Sequence, residues 1–340
     1  MKVLCCVLAL FVGGCAALGG KPSSGSGQEV CKEDQEKMAR VGEKVKGKIV
    51  WSSSRVGNHD IFIMNADGSE KTALTKGEHV DWFPRFSPDG STVMFCRSKK
   101  GWVYERDANM NFKWDVFTMD TAGGNQKKVA ENACWGTWIG EKKIMFSRKT
   151  QVFTKDLESG EETLLADSQK VEPLGGADLQ QPQMSPDGRF LGITLRGSMR
   201  ETGIFDLEKK SWVQTGEGCQ INWHPAGGRI YWVNPSGNGG SEVFSVEVKD
   251  GKPVKDYDYE EMRFVDIPSR ISHEYFPQMS VDAKWLVWAA TQRGHDHDIA
   301  DYEIHIWEIG TDPENCTRLT FHSGNDRWPD IFIPGAVKAQ

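Results

Sequence analysis

The chain has 340 residues, 26% of them charged, with a formal net charge of −7 at pH 7 and eight cysteines. That length leaves room for two or three domains, but an internal repeat covers nearly everything after Gly47, so a single repetitive domain is expected. The acidic balance excludes a nucleic-acid partner, which would require a basic face.

In chain order, Met1-Lys2 and the apolar run Val3 to Val12 read as a secretory signal, too short to span a bilayer stably. Val12-Gly13-Gly14-Cys15 resembles a bacterial lipobox, in which small residues precede a cysteine that becomes the lipidated first residue; ordinary cleavage near Ala17 is the alternative. On the lipobox reading residues 1–14 are removed with Cys5 and Cys6. Cys15 then anchors an extracytoplasmic protein to a bacterial membrane, with the outer membrane expected. Residues 15–47 form the tether. Its Gly19 to Gln28 portion is rich in Gly, Ser, Pro and Lys and cannot bury a core. Glu29 to Lys46 is charged and lacks strand character, so either a short surface helix or continued linker fits. The retained Cys31, Cys96, Cys134, Cys219 and Cys316 are odd in number, in a compartment that permits disulfides, and their pairing stays open.

The repeat is clearest from Gly57 to Gly90. Asp60-Ile61-Phe62-Ile63-Met64 is a β-rich run, Asn65-Ala66-Asp67-Gly68 a tight turn, and Phe83-Pro84-Arg85-Phe86 leads into the turn Ser87-Pro88-Asp89-Gly90. The second turn returns as Ser185-Pro186-Asp187-Gly188, as Ser280-Val281-Asp282-Ala283 and, loosely, as His224-Pro225-Ala226-Gly227. The first strand returns in Asp115 to Asp120, Glu242 to Val246 and Glu303 to Trp307. A period of roughly 35 to 55 residues with about four strands per repeat signals an all-β fold, the β-propeller. With strands A to D counted outwards from the channel, the B strands are Ile49 to Ser52, Val93 to Cys96, Lys143 to Phe146, Phe190 to Thr194, Ile230 to Val233 and Trp285 to Trp288. Six blades are therefore expected over residues 48–334, with 335–340 as a tail. The A strands lie near Phe83, Trp135, Gln181, Ile221, Phe276 and Trp328, so the chain starts on a B strand and the last A strand closes the first blade.

Asp60 to Gly68, the Leu74-Thr75 that follows and Phe86 to Gly90 resemble the repeat of TolB-type propellers, secreted or periplasmic modules loosely related to WD-type repeats. The resemblance covers about Lys48 to Pro334 and does not extend to the N-terminal α/β domain of TolB, for which this chain has no room. It implies a propeller; that fold hosts both binding modules and enzymes.

Strand alternation puts the B-to-C and D-to-A loops on one face and the short repeated turns on the other, and variable loops on a rigid scaffold usually carry function. Two B-to-C loops are long: Arg97 to Trp114, with Trp102 and Tyr104, and Arg293 to Tyr302. A cleft between them, over the short loop of blade one, is expected to bind ligand, with His79, Asp81 and Trp82 on one side and His322, Asn325, Asp326, Arg327 and Trp328 on the other. Trp82 and Trp328 also fit as core plugs near the channel mouth. Asp81, Glu274 and Asp326 precede A strands at equivalent places and would ring the entrance. His295, Asp296, His297, Asp298 and Asp301 bring two imidazoles and three carboxylates into one loop, a donor set for a divalent metal; the alternatives are a solvated loop or direct ligand contact. No Gly-x-Ser-x-Gly elbow or phosphate-binding Gly loop is present.

These features favour a monomeric, membrane-anchored binding scaffold whose loop face recognises a protein, peptide or glycan. The alternative enzyme reading is a metal-dependent polysaccharide lyase or hydrolase. Gln292, His295 and His297 are spaced similarly to the histidine-held metal site of oligogalacturonate lyase-type propellers. In that family, however, the histidine pair is expected before an A strand, whereas here it follows a B strand.

Overall fold

The computed structural model describes residues 29–236, 239–265, 267, 272–292 and 294–340. The signal segment, Cys15 and Arg293 lie outside them. Of the two readings of the charged segment, the helix is the one adopted, over Lys32–Lys44. Glu33 and Asp34 in its first turn and Lys44 in its last suit the helix dipole. Val41 and Gly42 form its buried face. Gly42 approaches Asp67 so closely that an added Cβ would lie 2.8 Å from the carboxylate, and Lys44 pairs with Glu308. The helix therefore leans on the turn end of the strands.

Those strands build an all-β propeller. Four sheets have four strands each, and in each the short repeated turns connect neighbours. The first contains Asp326–Phe332, Lys48–Ser53, Asp60–Asn65 and Thr72–Ala73. The next three run in sequence order from Asp81–Phe86 to Lys127–Ala130, from Cys134–Trp138 to Glu162–Asp167, and from Asp178–Met184 to Ser211–Gly216. Six separate blades were expected; instead four stand apart, and the strands from Cys219 to Arg318 join in one nine-stranded sheet. The join is local. Ser241–Lys249 runs nine residues, and its first residue pairs in parallel with His273, the first residue of His273–Met279.

Closure by the C-terminal strand is seen directly: Asp326–Phe332 pairs antiparallel with Lys48–Ser53, in the register Lys48↔Phe332, Ile49↔Ile331 and Ser53↔Asp326. The Ser-Pro-Asp-Gly turns hold themselves by side chains. Ser87 Oγ donates to Asp89 and accepts from the Thr92 amide, and the same pattern recurs at Ser185 and Ser280.

Six strands carry a further common device. Phe83, Trp135, Gln181, Gln220, Phe276 and Trp328 all have φ between 53° and 62°, and each strand's register slips around that residue. These are β-bulges, which re-aim a side chain out of the pleat. Here the side chains converge. Phe83, Trp135, Phe276 and Trp328 pack ring on ring, with centroids 4.3 Å apart for Phe276–Trp328 and 5.1 Å for Phe83–Trp135. Gln181 accepts from the Gln220 amide and Gln220 from the Phe276 amide. The axis is plugged, aromatic on one side and amide on the other.

Candidate functional site

The two long loops do not flank an open cleft over blade one; they meet. Glu105, in a single 3₁₀ turn of the first loop, offers its amide to both carboxylate oxygens of Asp298 at 3.0 Å. Its own carboxylate accepts from Arg327 at 2.9 Å and from the Trp328 indole at 3.1 Å, and lies 2.8 Å from His297 Nδ1. Arg327 also reaches Asp298 at 3.1 Å, and Asn325 donates to the Ala300 carbonyl. Burial pushes the Glu105 carboxyl up, but the His297 and Arg327 charges outweigh it and leave it below the ordinary range. Asp298 is shifted upward, by burial, against the pull of Arg327. His59 is sealed beneath, 3.4 Å from the Asp298 carbonyl and beside Trp102, and burial keeps its pKa well below normal.

This latch decides the fate of the expected metal ligands. His297 and Asp298 spend their donor atoms on Glu105 and Arg327, and Asp296 accepts the Asp298 amide. His295, Asp296 and Asp301 are exposed. Among the described residues no three His, Cys, Asp or Glu side chains are grouped as a metal set would be, and His297 and Asp298 of the expected set take part in a loop-to-loop clasp. The three acids expected around the entrance each have a partner within the protein. Asp81 turns into a two-pronged ion pair with Arg97 at 2.7 Å, Asp326 pairs with Arg55 at 2.7 Å, and Glu274 accepts from the Ile267 amide. All three are buried between strands. Trp82 and Trp328 are buried too, Trp328 in the plug and Trp82 packed against it and Trp135, whereas Trp102 and Tyr104 are 43% and 42% exposed on the loop face.

The opening lies on the other side of the latch. A cavity of about 450 Å³ is lined by Tyr104, Glu105, Arg106 and Asn109, by His295 to Asp298, by Tyr275 and Cys219, and by Arg196 and Arg200. Trp135 and Gln181, two of the plug residues, also line it, and a small cavity beneath the plug shares Gln181. Asn109 reaches across to Asp178 at 2.6 Å, so the first long loop arches over the well's edge. Burial raises the Cys219 thiol to about 11, which keeps it protonated and unreactive at neutral pH. The cavity lies beside the long loops where ligand binding was expected, and its lining adds Arg196, Arg200 and Tyr275, which the sequence had not singled out. The available signal was the short B-to-C segment Arg196-Gly197-Ser198-Met199-Arg200, with two cations on the same face as the long loops.

A propeller with a polar well at its loop end is the class that the fold and the cavity define. No family model matches the chain. An uncharacterised protein of Agrobacterium fabrum (strain C58) is 27% identical over 142 residues, 38% of this chain and 44% of that protein. Among solved structures, TolB from Acinetobacter baumannii superposes with a TM-score of 0.60 at 14% identity, over 84% of this chain and 66% of that one. A TolB-like protein from Agrobacterium tumefaciens gives 0.55 at 15% identity, over 85% and 98%. The chain thus spans less than half the length of its curated relative and about two thirds of the Acinetobacter protein, and the likeness to the solved structures is one of fold.

Proposed function

We propose that the chain is an extracytoplasmic binding scaffold, tethered to a membrane through Cys15, that receives a protein ligand at the loop-face well. On this reading the ring has six sectors, the nine-stranded sheet counting as two, because six strands carry the same left-handed bulge facing the axis. The observation that carries the function is the contrast between the two faces. One presents self-satisfied Ser-Asp-Gly turns; the other presents a well floored by the plug and walled by arginine, tyrosine and histidine, residue types suited to a binding hot spot. The TolB-like neighbours support a binding role by fold alone, and the lyase alternative loses support because His297 is committed to Glu105.

The test uses the full chain in its native envelope, with a photo-crosslinking benzoylphenylalanine in place of Tyr104 or, as control, of Glu158 in a turn on the other face. Adducts from position 104 and none from 158 are expected. Adducts confined to 158 would put the binding surface on the turn face. Cys15→Ser should move the protein from the membrane fraction to the soluble one, and continued membrane fractionation with fatty-acid labelling would overturn the anchor.

A further inference from the structure

The charges around the well are unevenly spent. Four arginines elsewhere in the ring hold a carboxylate, Arg55 with Asp326, Arg97 with Asp81, Arg189 with Asp206 and Arg318 with Glu303, while the buried Arg85 donates to the Pro84 carbonyl and lies over the Phe83 ring. Among the described residues no carboxylate lies within ion-pair distance of Arg106, Arg196 or Arg200, the three arginines that line the well. Arg196 is half-buried and is held in place by donating to the Leu195 and Gly218 carbonyls at 2.9 and 2.7 Å. Its pKa is lowered first by burial and further by the nearby positive charge of Arg200. Arg106 lies 4.6 Å over the ring of Tyr104. The carboxylates at the well face the other way: Glu105 and Asp298 share Arg327, and Asp296 is turned onto a backbone amide. In a protein of net charge −7, two neighbouring guanidiniums left without a counter-ion in a concave site repel each other. An anion would relieve that repulsion, and a planar guanidinium fork matches a carboxylate bidentately.

Shape narrows the class of anion. Because the plug closes the well below, a ligand enters from one end only, which admits a chain terminus more readily than the middle of a polymer. A sugar would want a free aromatic face to stack on. One face of Tyr104 is taken by Arg106, and Tyr275 is packed edge-on against His297 and Tyr302. We propose that the well receives the C-terminal carboxylate of a polypeptide, held by Arg196 and Arg200, with Arg106 closing from the side of the first long loop. This rests on the reading of the loop face as the binding face and names what that face recognises.

The experiment pans the detergent-solubilised full-length protein against a peptide library displayed with free C-termini. Selected peptides are then remade as the free acid and as the C-terminal amide, and binding is followed by fluorescence anisotropy. Amidation should weaken binding about tenfold or more, as should Arg200→Gln, and affinity should fall as salt is raised. Arg200 is exposed and makes no ion pair among the described residues, so its substitution leaves folding intact even if Arg196→Gln does not. Equal binding of acid and amide, an Arg200→Gln protein that binds as well as the parent, or preference for a uronic-acid oligosaccharide over every selected peptide would each overturn the proposal. If Tyr104 crosslinks persist while amidation has no effect, the carboxylate inference alone fails; if the crosslinks are absent, the binding-face reading fails with it.

Discussion

Six residues on the axis hold a backbone conformation that costs an L-residue on the order of 1 to 3 kcal/mol, and none of them is glycine. A glycine would relieve the backbone and leave the axis empty, so the packing of Phe83, Trp135, Phe276 and Trp328 offsets the strain. The sequence located these positions, at the A strands, but not their left-handed geometry, because nothing in a Phe-Pro or Gln-Pro dipeptide announces a positive φ. A second residue-scale consequence concerns pH. Glu303 is buried among Thr320, the His322 amide and Arg318, and burial, followed by the negative charge of Asp326, pushes it up to about 8. Asp60 is raised to about 6 by burial and by Asp81. For an acid raised by folding, the native chain keeps a proton that the unfolded chain has lost, so stability falls as pH climbs from the unfolded value towards the folded one. Urea midpoints should therefore decline between pH 5 and 8, and Glu303→Gln should flatten the upper half of that decline. An unchanged slope in the variant would remove Glu303 as its source.

At the scale of elements, the two long loops act as one unit because Glu105 satisfies four partners from the other side of the junction. Replacing it with glutamine removes the carboxylate charge opposite Arg327 and His297 and leaves Arg327 its ion pair with Asp298 and its bond to the His297 carbonyl. Glu105→Gln should cost about 3 kcal/mol, the low end for breaking a buried pair, and should raise protease sensitivity within residues 99–113 and 294–301 first. A variant as stable and as resistant as the parent would show that the loops are held by packing alone. Loop length made both segments visible in the sequence, and the His-Asp string looked like a metal set because its donors are of the right type. What the string could not show was a partner 192 positions away that takes up His297. The repeated turns were legible for the opposite reason: their partners lie two to five residues off, as at Ser185 and Asp187. Even the irregular Ser280 turn keeps its hydrogen bonds, with Ala283 at φ 57° where the others place glycine.

At the scale of the whole molecule, circular closure was readable from the phase of the repeat, since a chain that begins on a B strand must end on an A strand. The fusion of the last strands into a nine-stranded sheet was not readable, because it depends on one bridge between Ser241 and His273. Deleting residues 327–340 should expose the edge of Lys48–Ser53, remove Arg327 and Trp328 from the latch and plug, and abolish cooperative unfolding, whereas deleting 335–340 should be mild. A longer truncation that stays soluble and unfolds in one step would refute closure as a requirement. The same pairing has a consequence in time. Arg55 meets Asp326 across 271 positions of chain, so the strand bearing Ile49, Val50 and Trp51 is made long before the strand that covers it. At synthesis rates of about 5 to 20 residues per second, that apolar edge stands open for some tens of seconds. The interval invites a wrong partner, and whatever machinery handles the nascent chain must keep that strand apart until its cover is delivered.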